Sequence, residues 1–207
     1  MSASRLDVAI EGRGRDLVLL HSLLSDRTSF EPLVGRIAGE RRLILVNLPG
    51  FGASPPAGPA LGDYADAIAG VFDDLALPPA TDVLGNGLGG FVALNLASRH
   101  RARFARMVLV GSAIAFADAG RATFRALAAL DLSAELARIA NPTLIVVGAE
   151  DQATPPALGR ALANRLANAT LVELPGLGHC PHIQDPDAFV AAIAPFLGLG
   201  ADRPGSR

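Results

Sequence analysis

The chain has 207 residues, of which 50% are apolar, and a formal net charge of −2 at neutral pH. This length suits a single core, and so small a charge gives no attraction to nucleic acid or to an anionic membrane. No apolar run approaches the ~18 residues that span a bilayer. The single cysteine, Cys180, excludes an internal disulfide and a cysteine cluster for zinc. We therefore expect a cytoplasmic protein with no nucleic-acid or membrane partner.

Apolar runs alternate with helical patterns along the chain. The run at 5–10 alternates polar and apolar residues, as an edge strand does, whereas the later runs are continuous and typical of strands buried on both faces. Further strands are predicted at 16–20, 43–47, 81–85, 104–112, 143–148 and 170–174. Helices are predicted at 30–37, 63–75, 91–97, 157–167 and 188–197, and within 113–140. This alternation predicts an α/β fold with a doubly wound, mostly parallel sheet and helices on both faces.

The stretch from Thr81 to Gly90 turns from a strand into a helix at a cluster of glycines. Gly85-x-Gly87-x-Gly89 has the spacing of the nucleophile elbow G-x-S-x-G, in which a strained turn presents a serine beside an oxyanion hole. Because the central residue is Gly87, the corner lacks its hydroxyl, and no acyl-enzyme can form through it. The spacing differs from the dinucleotide fingerprint G-x-G-x-x-G. No cofactor is therefore expected.

Four residues follow directly after predicted strands: His21, Gly87, Asp151 and His179. In doubly wound sheets, ligands bind outside the carboxyl ends of the strands. These four residues are therefore expected to face one crevice.

With these residues in view, the chain resembles the α/β-hydrolase superfamily, and most of all the branch of 3-oxoadipate enol-lactonases and meta-cleavage-product hydrolases. Four loops carry the resemblance, in the family's order and over nearly the whole chain. Residues 17–24 are similar to the first oxyanion loop, 47–54 to the D-x-x-G-x-G-x-S loop with Asn47 in place of Asp, 147–155 to the acid loop, and 178–189 to the histidine loop and terminal helix.

The resemblance implies a role for the residues of these loops. His179 would be the general base, and Asp151 would fix its tautomer and stabilise its charged form, with Glu150 as the alternative acid. The backbone N–H groups of Leu23 and Leu88 would bind the developing oxyanion.

Other polar residues near these loops have more than one interpretation. His21, Ser22 and Asn86 are candidate substrate-binding residues. His21 could instead tie loops together, and Ser22 has a hydroxyl, but at the wrong position for an elbow nucleophile. Cys180 is expected to be a small buried side chain. His182 is expected at the surface or behind the site. No metal site is predicted.

The segment between Val110 and Asn141 has only about 30 residues, where the family usually inserts a larger helical lid. We expect one domain over 1–200, with 113–140 as a remnant of the cap region, and a disordered tail at 201–207. Without a full lid the apolar mouth of the crevice would be exposed, which favours a homo-oligomer.

The missing serine leaves three hypotheses. The chain could be an enzyme in which His179 activates water, so that it weakly hydrolyses an ester, lactone or C–C bond of a small carbonyl substrate without a covalent step. It could be a catalytically inactive hydrolase-fold protein that binds a small molecule or a partner. It could also be an engineered scaffold with a serine-to-glycine change, a deleted cap, or both. Specificity in the family lies largely in the lid, so the sequence names no substrate.

Overall fold

The computed structural model describes residues 5–100, 103–113, 133–136 and 138–200. Within these residues, seven strands form one sheet in the order β1-β3-β2-β4-β5-β6-β7. The strands are β1 (Val8–Gly12), β2 (Arg15–Leu20), β3 (Arg41–Val46), β4 (Asp82–Asn86), β5 (Arg106–Val110), β6 (Thr143–Gly148) and β7 (Ala169–Leu174). β1 pairs antiparallel with β3, and the other five pairs are parallel. The predicted doubly wound, mostly parallel sheet is confirmed.

Helices cover both faces of the sheet. They are α1 (Glu31–Ile37), α2 (Leu61–Asp74), α3 (Leu88–Arg99), α4 (Ser133–Leu136), α5 (Pro156–Arg165), α6 (Pro181–Gln184) and α7 (Pro186–Leu197), with a 3₁₀ turn at Arg27–Phe30. Side chains of α2, α3 and α5 pack in one apolar cluster, and those of α1 and α7 pack in another. No helix among the described residues is long and apolar enough to cross a membrane.

Strand β2 explains why the inner strands are continuously apolar. Val18 and Leu20 belong to the cluster under α2 and α3, whereas Leu17 and Leu19 belong to the cluster under α1 and α7. All four are fully buried, because successive side chains of a central strand meet helices on opposite faces.

The amino ends of the central strands meet at a buried carboxylate. Asp82 is 1% exposed, and it accepts hydrogen bonds from Arg15 at 3.0 Å and from Arg106 Nη2 at 2.8 Å. Arg41 lies 4.0 Å from the same carboxylate. Arg41 and Arg106 also donate to the carbonyl of Leu197, at the end of α7. The cluster therefore joins four strands to the last helix at the edge opposite the predicted site.

Several boundaries differ from the predictions for local reasons. Strand β1 is shifted to Val8–Gly12, so the turn before β2 is shorter than expected. Helix α2 begins at Leu61, and Asp63 caps it from within the first turn by accepting the N–H of Ala60 at 2.9 Å. Of the predicted cap remnant at 113–140, only the ends and the short helix α4 are described. Residues 114–132 and the tail 201–207 lie outside the described residues.

Candidate active site

The elbow glycine begins helix α3 in a strained conformation. Gly87 has φ +50° and ψ −113°, which glycine tolerates far better than other residues. Its N–H donates to the carbonyl of Val110 at 2.9 Å, and its carbonyl accepts the N–H of Gly90 at 3.0 Å. A Cβ built on Gly87 would lie 3.0 Å from His179 Nε2. The corner therefore points the missing side chain at the imidazole.

His179 and Asp151 form a hydrogen-bonded pair next to this corner. His179 Nδ1 lies 2.9 Å from Asp151 Oδ2, although the residues are 28 positions apart in sequence. We assign the proton to Nδ1, because a carboxylate can only accept. Nε2 is then the unprotonated nitrogen and faces Gly87, as a general base must.

The carboxylate of Asp151 is built to stay ionised. It is 3% exposed, and Oδ1 accepts the N–H groups of Ala153 at 2.8 Å and Thr154 at 2.9 Å. Burial by itself would raise the pKa of Asp151, but the hydrogen bonds from His179 and from these two N–H groups outweigh it, so the pKa is lowered. The alternative acid, Glu150, is exposed, so Asp151 is the carboxylate paired with His179.

Two residues that the sequence analysis did not single out hold this pair in place. Thr154 Oγ1 donates to the carbonyl of Gly111 at 2.8 Å and lies 3.0 Å from His179 Nδ1. Gly111 has φ +52°, and a Cβ there would lie 2.8 Å from His179 Nδ1. Gly111 directly follows β5, and this position was the one signal in the sequence that it belongs to the site. The sequence does not show that Gly111 lies beneath the imidazole of His179.

The backbone N–H groups of Leu23 and Leu88 are the predicted oxyanion donors. In the part of the chain that the structure describes, neither Leu23 nor Leu88 donates its backbone N–H to a protein acceptor. Leu88 is also the first residue of α3, where unpaired N–H groups and the helix dipole favour negative charge. The oxyanion role stays a prediction.

His21 and Asn86 were expected to contact substrate, and burial makes both unavailable in this conformation. His21 is 0% exposed; its Nδ1–H donates to the carbonyl of Ser22 at 2.8 Å, and its Nε2 accepts the N–H of Leu48 at 3.0 Å. Burial lowers the pKa of His21, so it stays neutral. The amide of Asn86, 1% exposed, donates to the carbonyl of His179 at 3.0 Å. Both residues therefore position loops of the site.

His182 is not at the surface, which was one of its two expected positions. It is 0% exposed, stacked on Phe30 with ring centroids 5.0 Å apart and tilted against Phe189 at 5.8 Å. Its ring acts as part of the apolar cluster beneath α7. Burial lowers the pKa of His182 to about 4, so the ring is neutral at neutral pH.

Cys180 is partly buried and is poorly suited to attack a substrate. Its Sγ lies 3.5 Å from Asn86 Oδ1, to which it donates. Burial, and then the charge of Asp151, raise the pKa of the Cys180 thiol, so the reactive thiolate is disfavoured.

Ser22 is the third expected substrate-binding residue, and it lies within the site. Its Oγ is 3.4 Å from His179 Nε2, across 157 positions of sequence. Its side chain is half buried, so it remains open to a ligand. No group of His, Cys, Asp and Glu side chains that could hold a metal ion occurs among the described residues.

Comparison with known families agrees with this architecture. A family model described as the alpha/beta hydrolase fold matches residues 17–131. A second, described as the alpha/beta hydrolase family, matches residues 112–192. The chain therefore belongs to the α/β-hydrolase superfamily.

The chain is similar in sequence to a known enzyme and in structure to two solved proteins. The pimeloyl-[acyl-carrier protein] methyl ester esterase of Neisseria meningitidis is 28% identical over 254 positions, covering 93% of this chain and 80% of that protein. A thermophilic esterase from Thermogutta terrifontis is 23% identical with a TM-score of 0.83, covering 93% of each chain. The enol-lactonase from Burkholderia xenovorans LB400 is 24% identical with a TM-score of 0.83, covering 93% of this chain and 96% of that one. At these identities the two structures show the fold alone.

Proposed function

We propose that this chain hydrolyses an ester, lactone or C–C bond of a small carbonyl substrate, with His179 as the general base and Asp151 as its partner. The observation that carries the proposal is the 3.0 Å between His179 Nε2 and the position of a Cβ on Gly87. The base thus faces the corner at which α/β-hydrolases present their nucleophile. Gly87 has no side-chain hydroxyl. The base must therefore take a proton from another hydroxyl or, in the simplest case, from a water molecule.

The chemistry follows from the pair and the two free N–H groups. His179 Nε2 takes a proton from the attacking oxygen, and the ionised Asp151 stabilises the imidazolium that forms. The N–H groups of Leu23 and Leu88 bind the carbonyl oxygen as it becomes negative. A positioned base contributes about 10²- to 10⁴-fold in rate. Activity is therefore expected to be weak beside that of relatives with an elbow serine.

The relatives support an ester as the first substrate class to test. The Neisseria meningitidis relative is named as a methyl ester esterase, and the Burkholderia xenovorans neighbour as an enol-lactonase. Their names make esters and lactones the leading candidates for this chain.

A shortened lid is also part of the proposal. The alignment to the Neisseria meningitidis relative spans 254 positions, more than the 207 residues of this chain, so the relative carries residues that this chain lacks. A site with little lid suits small, reactive esters. Association through the open mouth of the site and a cytoplasmic location both stay predictions.

Gly87 itself favours a second candidate, a binding protein without turnover. A protein that keeps the hydrolase fold but lacks the elbow hydroxyl could bind a small carbonyl compound between Leu23 and Leu88 and release it unchanged. Under this alternative, replacing His179 would change the affinity for the bound carbonyl compound, and neither the wild type nor the variant would hydrolyse it.

Hydrolysis of p-nitrophenyl acetate separates the two candidates. We expect wild-type turnover above the buffer rate, reduced at least about 10²-fold in His179→Ala because the base is lost. His100→Ala is the matched control, since His100 pairs with Asp66 on the surface. All 18 residues counted as Lys or Arg are arginine, so no lysine amine contributes background acetylation. Equal rates in His179→Ala and wild type would refute the proposed function.

A further inference from the structure

A hydroxyl lies beside the imidazole although residue 87 provides none. Ser22 Oγ is 3.4 Å from His179 Nε2. A Cβ built on Gly87 would overlap this oxygen and would lie 3.2 Å from Ser22 Cβ. The Ser22 side chain therefore occupies the volume that an elbow side chain would fill.

The loop that carries Ser22 is fixed by its backbone. The carbonyl of Ser22 accepts hydrogen bonds from His21 Nδ1–H at 2.8 Å and from the Ser25 hydroxyl at 3.1 Å. The carbonyl of His21 accepts the N–H of Gly89, in the first turn of α3, at 3.1 Å. The loop is thus attached to the same helix that the elbow begins, so the fold holds the backbone of Ser22 in place.

The Ser22 hydroxyl is oriented toward the base, and Ser22 is a partly exposed residue. Among the described residues, His179 Nε2 is its only hydrogen-bond partner, and the side chain is half buried. A separation of 3.4 Å is loose for a reacting pair, but such bonds lengthen in unliganded sites and tighten when substrate binds. The hydroxyl can therefore lose its proton to His179 while a carbonyl carbon approaches from solvent.

We propose that Ser22 is the nucleophile of this hydrolase and that it replaces the elbow serine from the opposite loop. The inference rests on the proposed function for its substrate class. It departs from the water mechanism in one respect: the oxygen that attacks the carbonyl belongs to the protein.

The reaction balances with water as the only co-reactant. Ser22 Oγ bonds to the carbonyl carbon while its proton passes to His179 Nε2 and the carbonyl π pair moves onto oxygen. The intermediate collapses, the bond to the leaving oxygen breaks, and that oxygen takes the proton from Nε2. Water then attacks the acyl-Ser22 ester, giving a proton to Nε2, which returns it to Ser22 Oγ as the acid leaves. The net change is one ester and one water to one acid and one alcohol.

A fluorophosphonate probe tests the nucleophile directly. We expect one phosphonyl adduct per chain, on Ser22, with loss of labelling in Ser22→Ala and in His179→Ala. Ser29→Ala is the matched control, because the Ser29 hydroxyl donates to the carbonyl of Asp26 and is not part of the site. Cleavage after arginine gives the peptide 16–27, which holds Ser22 and Ser25, so fragmentation must locate the adduct. An adduct on Ser25 or on no residue overturns the proposal.

Kinetics with p-nitrophenyl acetate provide the second readout. Because nucleophile and base act as a unit, Ser22→Ala should lower kcat/KM as much as His179→Ala, at least about 10²-fold, and the double variant should lose no more. Ser22→Cys, which keeps a nucleophile at this position, should be alkylated by iodoacetamide at least about 10-fold faster than Cys180, whose thiol is partly buried and has a raised pKa. Melting temperatures within a few degrees of wild type would show that the variants fold.

The outcomes separate this inference from the proposed function. Hydrolysis that requires His179 but is unchanged in Ser22→Ala, with no adduct, overturns the role of Ser22 and leaves the proposed function standing. A Ser22 adduct without turnover of any ester supports the nucleophile and counts against the proposed function. Absence of both labelling and turnover overturns both.

Discussion

Asp82 and Asp151 are buried at opposite ends of the parallel strands, and their partners give them opposite tasks. Asp82, at the amino edge, is surrounded by the guanidinium groups of Arg15, Arg41 and Arg106, which stay charged at every physiological pH. Asp151, at the carboxyl edge, pairs with the imidazole of His179, which can gain and lose a proton. A buried carboxylate therefore stabilises the fold where its partners are guanidinium groups, and it can support proton transfer where its partner is an imidazole.

The largest expected effect is on activity, from Asp151→Asn. An amide in this position cannot stabilise the imidazolium and favours the wrong tautomer of His179, so kcat/KM for p-nitrophenyl acetate should fall about 10²- to 10⁴-fold. Glu150→Gln is the matched control, because Glu150 is next to Asp151 in sequence but has an exposed carboxylate. This variant should keep the wild-type rate. Equal losses in the two variants would contradict the pairing.

The next effect is on stability, from Asp82→Ala. Removing this carboxylate leaves three guanidinium groups, one of them on the buried Arg41, without their counter-charge, so the free energy of unfolding in urea should fall by about 3–5 kcal/mol. Asp66→Ala breaks an exposed ion pair with Arg99 and should cost no more than about 1 kcal/mol. If Asp82→Ala lowered the free energy of unfolding no more than Asp66→Ala does, the buried cluster would not be what stabilises the amino ends of these strands.

Low pH should lower the stability of the folded protein through His182. The unfolded chain binds a proton on this residue below about pH 6.5, whereas the folded protein holds its pKa at about 4. Stability should therefore fall as the pH drops from 6.5 to 4, by roughly 3 kcal/mol in total. His182→Phe keeps a ring against Phe30. Its free energy of unfolding in urea should therefore change less between pH 7 and 4.5 than that of the wild type. A flat wild-type profile would contradict the prediction.

The smallest expected effect on stability comes from restoring the elbow side chain. Gly87→Ser forces a non-glycine residue to φ +50° and should cost about 1–3 kcal/mol in unfolding free energy. Its Cβ would also overlap Ser22 Oγ, so the single variant should gain little esterase activity. The exchange variant Ser22→Gly/Gly87→Ser removes that overlap and should be more active than Gly87→Ser alone. A fully active single variant would show that Ser22 does not occupy the elbow volume.

The carboxyl-edge loops could be predicted from sequence because they follow strands. Each continuous apolar run marks a buried strand, and parallel strands bring their carboxyl ends to one edge. That rule was enough to predict that Gly87, Asp151 and His179 share one crevice. In the structure His179 Nδ1 lies 2.9 Å from Asp151 Oδ2, and His179 Nε2 lies 3.0 Å from the position that a Cβ on Gly87 would take.

The directions of side chains within those loops could not be read from sequence. The burial of His21, Asn86 and His182 depends on how loops fold back over the strand ends, which no periodicity encodes. His21 and Asn86 illustrate this, because both side chains bond backbone groups beneath the surface.

The sequence by itself determined the sheet, its strand order along the chain, the glycine corner and the histidine and aspartate loops, since these depend on local apolar patterns and on glycine. Only the tertiary structure decided that Ser22 meets His179, that Thr154 and Gly111 support the imidazole, and that three arginines converge on Asp82. Those contacts join residues 24 to 157 positions apart. They arise when separate loops and strand ends are packed against each other, and the geometry of that packing is a property of the folded chain.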